Sequence, residues 1–256
     1  MKKGNDLIMI ISIKNLEKSY KDFKAVDIQE LNIKEGEIFG LLGPNGAGKT
    51  TTISVLSGIY TKFTGDVKIF DKDVKKDSLE IKKNMGVVPQ DLALVDDLTA
   101  YENVTFFARL YGLKGEKLKA SVKETLEFVG LWDRKSDFPT KFSGGMKRRL
   151  NIACAIVHKP RLIIMDEPTV GIDPQSRNNI LETVKKLNEQ GSTIIYTSHY
   201  MEEVEAICTD ICIMDKGKII ARGSKEELKS LVSKEDGSNI TLEEVFLDLT
   251  GKKLRD

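Results

Sequence analysis

The chain carries one string that restricts its fold more than any other. Between an apolar run, Ile38–Leu42 (Ile-Phe-Gly-Leu-Leu), and a helix-forming stretch, Thr50–Leu56, it reads Gly43-Pro-Asn-Gly-Ala-Gly-Lys-Thr50. This matches G-x-x-x-x-G-K-[ST] without departure. Gly43, Gly46 and Gly48 let the backbone wrap closely and turn its N–H groups inward on phosphate oxygens. Pro44, Asn45 and Ala47 complete the cradle, and Thr51 extends it into the helix. Lys49 supplies a cation for the β- and γ-phosphates, and Thr50 offers a hydroxyl to Mg²⁺. The helix that follows, stopped at Gly58, directs its N-terminal dipole at the anion. A glycine-rich turn that binds nothing is the plain alternative, but it does not account for the full pattern between a strand and a helix.

Such a loop belongs at the edge of a parallel sheet, and the chain supplies the strands. Leu162–Met165, Thr193–Tyr196 and Ile211–Met214 are further apolar runs without polar alternation, as strands buried on both faces require. Helical periodicity separates them, as in Ile180 to Asn188, closed by Gly191. The expected core is therefore a doubly wound α/β sheet, mostly parallel. The part through Lys34-Glu35-Gly36-Glu37 alternates short strands and predicts an N-terminal antiparallel β-subdomain. Residues 91–158 are helical in pattern and predict an inserted α-helical subdomain. After a polar break at Lys234–Ser238, Thr241–Leu249 forms a last amphipathic helix.

Leu162-Ile-Ile-Met-Asp166-Glu167 provides a second half for the site. A carboxylate at the C-terminal end of a buried strand can hold Mg²⁺, through water, where open α/β sheets bind ligands. Glu167 is placed to accept a proton from an attacking water. Alone, Asp166 and Glu167 would read as a solvated strand end; beside the phosphate cradle they read as its partner. These halves describe P-loop NTPases in general, with kinases, GTPases, helicases and motor ATPases included.

Composition narrows the setting. With 256 residues, 40% apolar and 31% charged, the chain fits one large domain or one with a subdomain. A net charge of +1 provides no broad basic field, so no nucleic-acid partner is expected. Cys154, Cys208 and Cys212 are too few for a disulfide framework and point to a reducing compartment. Cys208 and Cys212 would share one face if their stretch were helical, yet core packing suits them better than a metal site. No run can cross a bilayer: Leu7 to Ile13 falls far short of the ~20 residues required. That run follows Lys2 and Lys3 but lacks an adequate h-region and cleavage site, so it reads as a first β-strand, with Met9 a second candidate start. Any membrane role would need a separate membrane partner.

Further motifs resemble the ATP-binding cassette (ABC) family. Phe142-Ser-Gly-Gly-Met146 is similar to its signature Leu-Ser-Gly-Gly-Gln. Ser143 is a good N-cap, while Gly144 and Gly145 expose N–H groups at a helix start, making a second anion site on the same chain. The resemblance implies that each signature faces the γ-phosphate held by another subunit, so ATP is sandwiched in a dimer. It also implies adenine stacking by Tyr20, a Q-loop glutamine at Gln90 that contacts Mg²⁺ or the water and senses the membrane partner, a D-loop at Asp173, and a switch histidine, His199, on the γ-phosphate. The resemblance covers about Ile10 to Leu249, with the motifs in family order. It implies an ATP-binding domain over 10–228 and a short C-terminal helical tail over 229–256.

The chain departs from the pattern at Phe142 and Met146. Met146 removes a side-chain amide but leaves the backbone donors, so activity is expected to survive. Ser143–Leu150 and the tail Leu242–Gly251 are similar to the branch that powers exporter permeases for drugs, lipids, glycans or sodium. The implied protein is an ATPase using ATP and Mg²⁺, paired with a second ATP-binding subunit and an integral membrane permease on the cytoplasmic face of the membrane. Soluble non-transport ABC ATPases are the alternative. However, translation factors of that kind usually carry paired cassettes, and DNA-repair members carry coiled coils or zinc modules. Lys147-Arg148-Arg149 reads as a solvated or interface helix face rather than a nucleic-acid patch. His158 receives no chemistry.

Overall fold

The computed structural model describes residues 8–232 and 240–251. Leu7, the preceding lysines and the Lys234–Ser238 break lie outside the described residues. The chain forms two compact units, Met1–Ile81 with Thr193–Asp256, and Lys82–Ser192.

In the first unit, Met9–Tyr20 pairs antiparallel with both Phe23–Lys34 and Thr64–Ile69. Ile11, Ile13 and Leu16 of one strand, and Val26, Ile28, Leu31 and Ile33 of the next, are buried. This alternation is what a sheet with one covered face selects. Both long strands run 12 residues, more than the short strands expected from sequence. The hairpin between them turns through Lys21 at φ 52°.

The second sheet of this unit is the predicted buried one. Ile38–Leu42 is buried throughout and lies parallel to Thr193–Thr197 on one side and to Asp210–Asp215 on the other. Lys218–Gly223 closes that edge antiparallel, with alternating exposure suited to an outer strand. The last helix, Leu242–Thr250, starts with a reciprocal cap between Thr241 and Glu244. It buries Leu242, Val245 and Phe246 among Leu42, Val204, Ile211 and Ile213. Covering the Phe246 ring alone stabilises this docking by about 1.5–3 kcal/mol.

In the second unit, Met85–Val88 lies parallel to Leu162–Asp166. Helices Ala100–Leu110, Gly115–Phe128, Gly144–Ile156 and Pro174–Glu189 accompany these strands. Thr99 and Glu102 cap the first of them reciprocally. Val104, Leu126, Leu150 and Ile152, from three of these helices, are buried. The fold is α/β, with a P-loop NTPase core, an antiparallel N-terminal sheet and a helical insertion. Cys208 ends the Met201–Ile207 helix and Cys212 sits in a strand, so no shared helical face exists for them. Burial pushes the Cys212 thiol up to about 12, as befits a core residue.

Candidate functional site

The first unit carries the phosphate cradle, Tyr20 and His199. Leu41 pairs in register with Thr197 of the neighbouring parallel strand. The loop at Gly43 and the segment at Ser198–His199 therefore leave the same sheet edge from strands about 4.8 Å apart. The Lys49–Leu56 helix begins from Gly48, whose φ of 103° suits glycine alone. A Cβ at Gly48 would also lie 2.5 Å from the Ala25 carbonyl oxygen. The loop is tied down from behind: Gly217 N–H donates to Ala47 O at 2.9 Å, and Asp27 N–H to Gly217 O at 2.7 Å. Lys49 is buried, and its Nζ donates to Gly43 O at 2.5 Å within the loop. A phosphate oxygen is the natural competitor for that ammonium. Asn45, Gly46 and Thr50 face solvent.

Tyr20 ends its strand 40% exposed. It meets Tyr60 edge-on at 5.8 Å, and Lys18 Nζ lies 5.1 Å from the Tyr20 ring and 5.3 Å from that of Tyr60. A hydrogen bond with Tyr20 is the main cause that raises the Tyr60 hydroxyl above the ordinary tyrosine range. Tyr60 N–H bonds Ser54 O at 3.0 Å, which anchors this pair to the helix that follows the cradle. Sequence reasoning missed Tyr60; its only signal is an aromatic just past the helix stop at Gly58.

The second unit carries Gln90, Ser143–Gly145, Asp166, Glu167 and Asp173. Val88 pairs in register with Met165, so Gln90 and the Asp166–Glu167 pair emerge from the same edge of adjacent parallel strands. Both carboxylate residues are buried. Glu167 takes φ 48°, a left-handed backbone that costs a non-glycine residue about 1 kcal/mol and re-aims its side chain as the strand ends.

Ser143 caps the Gly144–Ile156 helix, its Oγ accepting from Met146 N–H at 3.3 Å. Ser143 and Gly144 are exposed, whereas Gly145 is buried against the next helix. A Cβ at Gly145 would stand 2.2 Å from Ser176 Oγ. Asp173 caps that next helix by accepting from Ser176 N–H at 2.9 Å, and this bond is the main cause that lowers its carboxyl below the usual range. The signature and Asp173 segments thus touch through Gly145 and Ser176.

One expectation is corrected here. Arg148, read from sequence as part of a solvated or interface helix face, is 5% exposed. Its guanidinium bridges Pro89 O at 2.8 Å and Gln90 O at 2.7 Å. Arg149 likewise donates to Val129 O at 2.7 Å. Asn151, one turn on, accepts from Ala93 N–H at 3.1 Å. One helix therefore presents the Ser143 cap at its start and holds the Gln90 segment with the side chains behind it. Neither role is visible in a basic triplet. His158, given no chemistry, stacks on Tyr111 with ring centroids 3.4 Å apart, its Nε2 3.1 Å from Met85 O.

Each unit carries an oxygen donor of the kind Mg²⁺ takes, the exposed Thr50 in the first and the Asp166 carboxylate in the second, and the described residues hold no cluster of three or more His, Cys, Asp or Glu able to grip a metal unaided. Mg²⁺ takes few protein oxygens and completes its shell with phosphate and water.

The family model for ABC transporters matches residues 26–170. The chain belongs to the ABC transporter family. It is the ATP-binding subunit of such a transporter, and an ATPase. Among relatives, the linearmycin resistance ATP-binding protein LnrL of Bacillus subtilis is 52% identical over 221 residues, covering 86% of this chain and 71% of that protein. A Nod factor export ATP-binding protein I of Cupriavidus metallidurans is 41% identical over 219 residues, covering 86% of this chain and 72% of its own. Both names fit the exporter branch to which the Met146 signature and the tail are similar. An ATP-binding subunit of an ABC transporter superposes with a TM-score of 0.81 at 26% identity, covering 94% of this cassette and 99% of that chain. A dimeric post-hydrolysis cassette bound to ADP and Pi superposes at 0.75 with 28% identity, covering 84% and 98%.

Proposed function

We propose that this cassette powers export of a substrate through a separate membrane permease at the cytoplasmic face, by closing on ATP as a pair of subunits. The observation that carries the paired reading is the solvent-facing helix start at Ser143–Gly144, whose backbone N–H groups suit an anion presented by another subunit. We assign the ATP-binding domain to 10–228, the helical insertion to 91–158 and the tail to 229–256. The exposed apolar side chains Leu92, Val95, Phe106 and Leu110 suit a permease contact.

In this cycle Tyr20 stacks on adenine, while the Gly43–Thr51 backbone and Lys49 hold the phosphates. Thr50, Asp166 and Gln90 would hold Mg²⁺, which supplies positive charge beside the phosphate oxygens. A partner's signature segment, equivalent to Ser143–Gly145, closes on the γ-phosphate, and Asp173 links the paired sites. Glu167 takes a proton from the attacking water and His199 steadies the departing γ-phosphoryl group. Catalysis is positioning and charge stabilisation, with little covalent work for the protein. Loss of the γ-phosphate lets the pair separate.

Glu167→Gln tests the base. The variant should bind ATP like the wild type, hydrolyse it at least about 100-fold more slowly and accumulate as an ATP-bound dimer in size-exclusion chromatography. Wild-type turnover would overturn the assignment.

A further inference from the structure

The backbone around His199 is held by a carboxylate with no evident stability motive. Glu203, on the Met201–Ile207 helix, is 1% exposed. Its Oε2 accepts from Tyr196 Oη at 2.8 Å and from Ser198 Oγ at 2.7 Å. Ser198 Oγ in turn accepts from Tyr200 N–H at 2.9 Å. The residues on either side of His199 are thus pinned by one hydroxyl, and that hydroxyl is oriented by one buried carboxylate. Burying a carboxylate is costly, and a well-packed apolar group in its place is often as stabilising or more so. Its return is geometric: two convergent donors and a fixed loop.

The anchor is itself rigid. Val204, the next residue, lies in the core cluster with Leu242, Val245 and Phe246. Glu205 accepts from Leu242 N–H at 2.9 Å and pairs with Lys229 Nζ at 3.1 Å. The C-terminal helix therefore braces the helix that bears Glu203.

We propose that Glu203, acting through Ser198, is a positioning residue that holds His199 in the geometry needed at the γ-phosphate, with the C-terminal helix as its support. This rests on the reading of His199 given above.

The two hydroxyls on Glu203 provide the test, in steady-state ATPase assays of the full chain with melting temperatures taken alongside. Ser198→Ala and Tyr196→Phe each delete one buried hydrogen bond to the same oxygen, but only Ser198 flanks His199. Ser198→Ala should lower kcat about tenfold or more with KM for ATP within about twofold, a loss of the size small misplacements cause. Tyr196→Phe should keep kcat within about twofold even though its melting temperature also falls. In a His199→Ala background, Ser198→Ala should add no further loss, because residues acting as one unit are not additive. Glu203→Gln, which retains an acceptor oxygen, should keep more turnover than Glu203→Ala. Equal kcat losses in Ser198→Ala and Tyr196→Phe, or multiplying losses in the double variant, would make Glu203 purely structural and overturn the proposal. Wild-type turnover from His199→Ala alone would instead remove the role given to His199. If Ser198→Ala does not fold, Glu203→Asp, which withdraws the carboxylate by one methylene, takes its place with the same kcat and KM criteria.

Discussion

Gly145→Ala is the smallest substitution expected to disturb this cassette measurably. In an open helix the change would stabilise, since alanine gains about 1 kcal/mol over glycine. Here the new methyl would lie 2.2 Å from Ser176 Oγ and 2.5 Å from Ser176 Cβ. A rotamer change can move the hydroxyl but not the Cβ, so the two helix starts must separate. Overpacking of this kind costs about 1–3 kcal/mol, which leaves a net loss of up to about 2 kcal/mol after the propensity gain. The separation also pulls on the bond from Ser176 N–H to Asp173 Oδ1, so turnover should fall as well. Ser176→Gly removes both clashing atoms and should restore stability and turnover to Gly145→Ala. Ser176→Ala keeps the Cβ and should restore little. Denaturant melts of the wild type, Gly145→Ala, Ser176→Gly and the double variant should give a coupling of about 1–3 kcal/mol. Additivity within about 0.5 kcal/mol would refute the clash as the cause.

Arg148→Ala removes two charge-assisted hydrogen bonds to carbonyls that water can partly reach, so stability should fall by about 2 kcal/mol and turnover should drop with the freed Gln90 segment. Arg148→Lys should rescue little, because a point charge cannot bridge both carbonyls; full activity in Arg148→Lys would refute the bridging role. For His158, burial outweighs its bond to Met85 O and pushes the imidazole down from 6.5 to about 4. The unfolded chain therefore takes up this proton first, so the stabilising contribution is complete above pH 6.5 and is lost as pH falls toward about 4. His158→Phe keeps a ring against Tyr111 and should flatten that part of the stability-versus-pH curve; an unchanged slope would refute the assignment.

Much of the architecture was legible because its signals are local. The apolar runs at Ile38, Leu162, Thr193 and Ile211 became strands at those places, since a strand covered on both faces has little use for polar residues. The helix stop at Gly58 appears where turn chemistry puts it, and the last amphipathic helix within a residue of its expected span. Arg148 was misread because nothing in Lys147-Arg148-Arg149 records the Pro89 and Gln90 carbonyls that it meets, 59 and 58 positions away. Tyr60 escaped notice for a similar reason, since its partner Tyr20 ends a strand far earlier in the sequence.

The phosphate cradle could be read from the string Gly43–Thr50 alone, because each residue type there answers a requirement of its own backbone or of one ligand group. The sequence by itself therefore determined that a phosphate is bound and that the signature segment starts a helix. Only the tertiary structure decided what holds the flanking segments still: Arg148 beneath Gln90, Ser176 against Gly145, and Glu203 beneath Ser198. Those restraints come from donors and acceptors, or from packed atoms, brought together by folding, and a buried polar group gains its partner only when the chain around it has closed.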